Sequence, residues 1–145
     1  MREVIFRGKP KKEAEYEVLR ELCEDNCENG FVYGSLVVNR NKCYICTMTI
    51  QFRSGIDNYI TTMIEVIPET VGEYTGLADK NFKMIFEGDV VLLKSGEEPY
   101  LVAFDECCFQ VYSYGVHYVM DNFCDHNIEV VGNVHDNPEL MEVKG

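Results

Sequence analysis

Glu87-Gly88-Asp89-Val90-Val91-Leu92-Leu93 is a glycine turn feeding an apolar strand. Ser95-Gly96-Glu97-Glu98-Pro99 turns the chain again, and Tyr100 to Phe104 and Phe109 to Val116 read as two further strands. Asn127 to Val131 reads as a last one. Short β-prone runs at close spacing, separated by tight turns, point to a small barrel or sandwich. A Gly-Asp turn, a strand, a Gly turn and two more strands in that order suit an SH3-like barrel of five short, strongly bent strands.

Upstream, Glu3 to Arg7 is a short β-prone opening, ended by Gly8 and Pro10. Lys11 to Asp25 changes character. Ala14, Val18 and Leu22, with Leu19 beside them, recur at three- and four-residue steps between charges. That pattern predicts an amphipathic helix of about three to four turns, packed through Val18 and Leu22. Phe31 to Asn39 and Lys42 to Phe52 are long β-prone runs around Arg40-Asn41 and read as a hairpin. Ser54 to Asn58 is the next turn, and Tyr59 to Ile67 another strand stopped by Pro68. Gly72 to Lys83, dense in Gly, Asp and Asn, reads as an ordered loop packed on the core. Met84-Ile85-Phe86 leads out of it. Asn137 before Pro138 has the form of an N-cap with proline at the first helical position, so a turn or two of helix is expected from Pro138 to Val143.

The whole is therefore expected to be mainly β, in one compact unit. Residues 1–72 form an N-terminal β region with one inserted helix at about 11–25. Residues 73–145 form the SH3-like barrel region. The chain has 145 residues, 46% of them hydrophobic and 12% aromatic, enough to build one core. It carries 25 acidic against 13 basic residues, a formal charge of −12. That argues against a surface that attracts nucleic-acid phosphates or anionic lipid over its whole extent. No apolar run approaches a membrane span and no leader pattern opens the chain, so a cytoplasmic protein is expected.

Seven cysteines cannot all pair within the chain. Cys23 and Cys27, with Cys43 and Cys46, loosely resemble zinc-ligand spacing. However, a strand through Lys42 to Ile50 would point Cys43 and Cys46 to opposite faces, and the pairs lack a Gly-containing knuckle. Buried free thiols are the preferred reading, and no metal is assigned. Cys107 and Cys108 are adjacent, and Cys124 stands alone. No thiol has a recognisable base beside it. Glu87 and Asp89 flank a turn and read as backbone-capping or solvated carboxylates before they read as an acid/base pair. His117, His126 and His135 lie nine residues apart, a spacing with no helical, strand or metal meaning. Asp121, Cys124, Asp125 and His126 read as a polar loop in preference to a metal cluster. Phe104, Phe109, Tyr112, Tyr114 and Tyr118 could stack bases, but Val102 to Cys124 contains no Lys or Arg. Core and subunit packing is the simpler reading. No catalytic residue or cofactor is assigned.

Four motifs, in order along nearly the whole chain, resemble the YopX family of phage and prophage proteins. The central one is Val66-Ile67-Pro68-Glu69-Thr70-Val71-Gly72-Glu73-Tyr74-Thr75-Gly76-Leu77-Ala78-Asp79-Lys80-Asn81. Ile85-Phe86-Glu87-Gly88-Asp89 follows, and Ile128-Glu129-Val130-Val131-Gly132-Asn133-Val134-His135-Asp136-Asn137-Pro138-Glu139-Leu140 closes the match. Ile5-Phe6-Arg7-Gly8-Lys9, continued after an insertion by Phe31-Val32-Tyr33-Gly34-Ser35-Leu36, opens it. The family often has Gly after the position of Asn81, where this chain has Phe82. It usually has Trp where Phe31 stands.

The resemblance implies a mostly β fold with an SH3-like C-terminal half. It also implies a prophage-encoded protein of the bacterial host cytoplasm that forms homo-oligomers. It brings no catalytic residues. In the central motif, Gly76 is expected to permit a turn, Leu77 to fill the barrel and Asp79 to bond its own backbone. The favoured function is a non-enzymatic accessory protein acting through self-assembly and contacts with host or phage proteins. The alternatives are an acidic decoy for a basic site on a host nucleic-acid-binding protein, and a metal-binding protein or enzyme using the Cys and His residues.

Overall fold

β-Branched and aromatic runs become strands wherever the opposite strand offers a matching apolar column. The computed structural model describes residues 4–22, 27–53, 55–93, 98–120 and 127–142. They divide into two compact units, Glu3–Glu73 and the stretch that begins at Tyr74.

The first unit holds β1 (Phe6–Gly8), α1 (Glu13–Leu22), β2 (Cys27–Glu28), β3 (Phe31–Asn39), β4 (Lys42–Arg53) and β5 (Ile56–Val66). A 3₁₀ turn at Pro68–Thr70 leads into β6 (Gly72–Ala78). The sheet is antiparallel in the order β5-β4-β3-β1 and continues onto the first residues of β6, with β2 on β3. Leu36, Ile45 and Ile64 stand opposite one another across three strands. Leu19, Val32, Ile45, Ile64 and Val66 form the core, with Phe6, Tyr16 and Leu36 packed on it.

Three expectations are corrected here. The helix keeps the predicted period but turns a different face inward. Leu19 is 1% exposed whereas Val18 is 57% exposed, because Tyr16 and Leu19, not Ala14 and Val18, meet the sheet. The Tyr16 hydroxyl accepts the Gly30 N–H at 3.1 Å, giving that inward ring a polar partner. Glu13 and Glu15 in the first turn and Arg20 in the last suit the helix dipole. The Leu22 side chain and residues 23–25 lie outside the described residues. The β4–β5 hairpin is also tighter than expected: Arg53 stands opposite Ile56, so Ile56 to Asn58 are strand, not turn. Finally, Gly72 to Ala78 is strand β6, not loop. Its first residues pair with β1, and Tyr74 and Ala78 pair with Phe86 and Met84. Gly76, at φ +87°, lies inside the register shift between those two pairs.

The second unit holds β7 (Met84–Phe86), β8 (Asp89–Leu92), β9 (Pro99–Asp105), β10 (Cys108–Ser113), β11 (Val116–Val119) and β12 (Glu129–Asn133). Five of them form one antiparallel sheet, β11-β10-β9-β8-β12. Among the described residues no ladder closes β11 onto β12. Over the described residues the fold is therefore mainly β, with two antiparallel sheets and one α-helix, and the second sheet is open. Ile85, Val91, Val102, Val111, Met120 and Ile128 make its core, and Leu77 packs against them.

The expected strand Phe109–Val116 is two strands. Tyr114 (φ +32°) and Gly115 (φ +82°) turn the chain after Ser113 and start β11. At the end of the chain, Pro138–Met141 is a 3₁₀ turn without a side-chain cap. Asn137 instead turns its Oδ1 toward the Asn133 N–H, at 3.2 Å. Val143 lies outside the described residues.

Candidate functional site

Asp79 is 4% exposed although it follows an exposed alanine in a polar loop. Its Oδ1 accepts the backbone N–H groups of Asn81 (2.8 Å) and Lys83 (2.9 Å), and its Oδ2 accepts that of Val130 (3.0 Å). The Asp79 N–H donates to the Lys83 carbonyl and Phe82 N–H to the Asp79 carbonyl. One carboxylate thus closes its own loop and ties it to β12, 51 residues away. Burial pushes this carboxyl up, but the three N–H donors and the nearby Lys83 charge outweigh it and hold it below the ordinary carboxylate value of 3.8. Lys80 adds an ion pair to Glu129 on the same strand at 3.0 Å.

The other polar motif residues behave alike. Asp89, 1% exposed, accepts the Phe86 N–H at 2.8 Å. Glu87 is half-buried, so the two carboxylates of the Glu-Gly-Asp turn sit in different surroundings. Thr70 accepts the Lys9 N–H and donates to the Ile67 carbonyl, fixing the 3₁₀ turn that Pro68 starts; Glu69 in that turn is exposed. The Thr75 hydroxyl donates to the Ile85 carbonyl and accepts the Leu77 N–H. Tyr74 and Phe86 rings lie 5.6 Å apart. Asn133 accepts the His135 and Asp136 N–H groups and donates to the Asp136 carboxylate. Gly132 faces Asn137, whose Oδ1 lies 2.5 Å from where a Cβ would be. Within these motifs Thr70, Thr75, Asp79, Asp89 and Asn133 hold the turns.

Among the described residues the thiol and imidazole candidates do not converge. Cys43 stands opposite Val66 and Cys46 opposite Met63, on alternate faces of β4. Cys27 and Cys43 pack against the first core; Cys23 lies outside the described residues. Cys107 is exposed and Cys108 half-buried, at a turn where Glu106 (φ +49°) and Cys107 (φ +64°) are both left-handed. His117 lies against Tyr112, ring centroids 5.6 Å apart. Asp121, Cys124, Asp125 and His126 lie outside the described residues. Among the described residues no three His, Cys, Asp or Glu side chains gather as metal ligands. No described helix is long and apolar enough to cross a membrane. Of the aromatic group, Phe109 packs on the core, while Phe104, Tyr114 and Tyr118 are substantially exposed; the Tyr112 hydroxyl donates to Asp105 at 3.0 Å.

Two surface features were not found from the sequence. Val37, Met48, Tyr59 and Met63 are all exposed, and β pairing puts them on the solvent side of β3, β4 and β5, opposite the face of Ile45 and Ile64. A period-2 reading of both strands shows this stripe once the inward face is known. Beside it, α1 and β5 border an open groove of about 280 Å³ lined by Ala14, Val18, Leu19, Met63 and Ile64, with Glu15 at its wall. The groove exists only where α1 lies along a strand more than 40 residues downstream, so no local pattern announces it.

Residues 6–142 match the family model of the YopX protein. The chain belongs to the YopX family. It is similar in fold to the crystal structure of protein EF1440 from Enterococcus faecalis, with a TM-score of 0.61 at 19% identity, covering 98% of this chain and 100% of that one. No curated protein matches it.

Proposed function

We propose that this chain is a non-enzymatic accessory protein of a prophage, working in the host cytoplasm by assembling with copies of itself and contacting other proteins. The observation that carries the proposal is the uncovered apolar side of β3, β4 and β5, with Met48 62%, Tyr59 63% and Met63 55% exposed. Several exposed apolar side chains sharing one side of a folded domain usually mark an interaction surface. Thr70, Thr75, Asp79, Asp89 and Asn133 of the motifs support the reading from the other side, because they bond to backbone groups. We read the second unit as SH3-like. β8 to β11 run as a meander and β12 returns to pair with β8, the strand order of a five-stranded SH3-like sheet.

Charge supports a second reading, the acidic decoy. Residues 74–145 hold 13 acidic and 4 basic side chains, so the acidity is concentrated in one half of the chain, where it could occupy a basic site. Light scattering across a concentration series, run with native mass spectrometry, tests the first reading. The expected species is a multiple of the 16.7 kDa chain. A monomer at every concentration overturns it. The decoy reading instead expects a complex with a basic nucleic-acid-binding protein that dissolves steeply with salt.

A further inference from the structure

Phe82 is the most exposed large apolar side chain among the described residues, at 88%, and its φ is +64°. A phenylalanine in the left-handed region is strained where glycine would not be. Nothing in its own unit offsets that strain, since the ring touches solvent. Yet the loop presenting it is firmly held: Asp79 closes it with two side-chain bonds and two backbone bonds, and Lys80 N–H donates to the Ile128 carbonyl at 2.9 Å. An aromatic side chain on a pinned loop is the form of an interface anchor, which docks with little ordering entropy left to lose.

The first unit carries a site of matching chemistry. The α1–β5 groove of about 280 Å³ is small for a drug-sized ligand, which takes roughly 300–1,000 Å³, but ample for a ring, since a cavity of about 150 Å³ admits benzene. Val18 and Met63 at its rim are 57% and 55% exposed, and methionine sulfur packs well against aromatic edges. Its wall carries the half-buried carboxylate of Glu15. The occupant should therefore bring one aromatic ring and a cation beside it. Phe82 is followed by Lys83, which makes no ion pair among the described residues.

We infer that Phe82 of one copy docks in the α1–β5 groove of a second copy, with the Lys83 ammonium set beside the Glu15 carboxylate. This inference rests on the self-assembly reading and names its contact. Each copy carries one knob and one groove, so reciprocal docking closes a two-fold dimer and one-way docking builds a ring or a filament.

Complementation of two variants tests it. Phe82→Gly removes the knob and relieves the left-handed strain. Val18→Glu places a charge at the groove rim from an exposed helical position that favours a helix former. Both chains are expected to melt no lower than the wild type by more than a degree or two, and each alone is expected to be monomeric by native mass spectrometry. Mixed, they are expected to form a 1:1 dimer and stop there, because only one intact knob and one intact groove remain. Lys83→Ala is expected to weaken wild-type assembly about tenfold.

The results that overturn the inference differ from one another. A monomeric wild type removes the self-assembly reading and this contact with it. A wild type that assembles and a Phe82→Gly chain that assembles equally leave self-assembly standing and remove the contact. Two monomeric variants that fail to pair when mixed do the same.

Discussion

Asp79 and Phe82 stand three residues apart in one loop and are placed the opposite way round from their chemistry. The carboxylate is inside, 4% exposed, and accepts three backbone N–H groups; the phenyl ring is outside, 88% exposed. The loop is inverted because its polar demand is internal. A turn that leaves Asn81, Lys83 and Val130 N–H groups unpaired by sheet needs an acceptor, and a short carboxylate meets all three. Once Asp79 fills that place, the remaining positions are free to face outward. The difference separates two kinds of conspicuous residue: those that make the scaffold and those that the scaffold displays.

The largest expected effect comes from breaking the inner half of that pair. Asp79→Ala leaves three backbone donors without an acceptor, and Val130 N–H lies in the sheet where water is poorly placed to replace it. A loss of about 3–5 kcal/mol in urea unfolding is expected. A loss below about 1 kcal/mol would return Asp79 to the surface and dissolve the contrast.

A smaller effect follows from its ionisation. The folded-state carboxyl titrates below its ordinary value of 3.8. Its contribution to stability is therefore fully present above that value and is lost as pH falls through the lower folded one. The stability gap between wild type and Asp79→Asn should stay constant through roughly pH 5–7 and narrow in more acidic solution. A gap that is flat down to acid unfolding would show that the charge on Asp79 contributes nothing.

The fold class was legible because alternating Val, Ile and Tyr runs have one good solution. The β3–β4 turn at Arg40-Asn41 was legible too, and Asn39 does stand opposite Lys42. β6 was not. Gly72, Thr75 and Gly76 break the period-2 signal, and its two ends pair with different short strands, so no single face dictates its pattern. The helix was legible in period and wrong in phase. Tyr16 is amphipathic, and counting it as a core residue shifts the inward stripe from Val18 to Leu19. The role of Asp79 as a backbone acceptor is legible, because Asp in a Gly- and Asn-rich loop bonds locally. Its reach to Val130 was not readable, since it depends on a sheet that brings β12 to the loop. Phe82 did carry a signal. Glycine is common at that place in the family, and the structure keeps the left-handed backbone that glycine would prefer while holding a phenylalanine there.

The smallest expected effect separates strain that serves a contact from strain that does not. Cys107, like Phe82, is a non-glycine residue at φ +64°, exposed, in a tight turn. With Glu106 also left-handed and Asp105 opposite Cys108, that turn is of the two-residue kind that favours Asn-Gly. Phe82→Gly and Cys107→Gly should each raise stability by about 0.5–1 kcal/mol, the left-handed penalty less the extra chain entropy of glycine. On stability alone the two positions are equivalent. Assembly should distinguish them: Cys107→Gly keeps the wild-type mass, and Phe82→Gly loses it. If both variants gain stability and both keep their mass, the strain at Phe82 serves no docking contact, and the contrast within the Asp79–Lys83 loop reduces to one of burial.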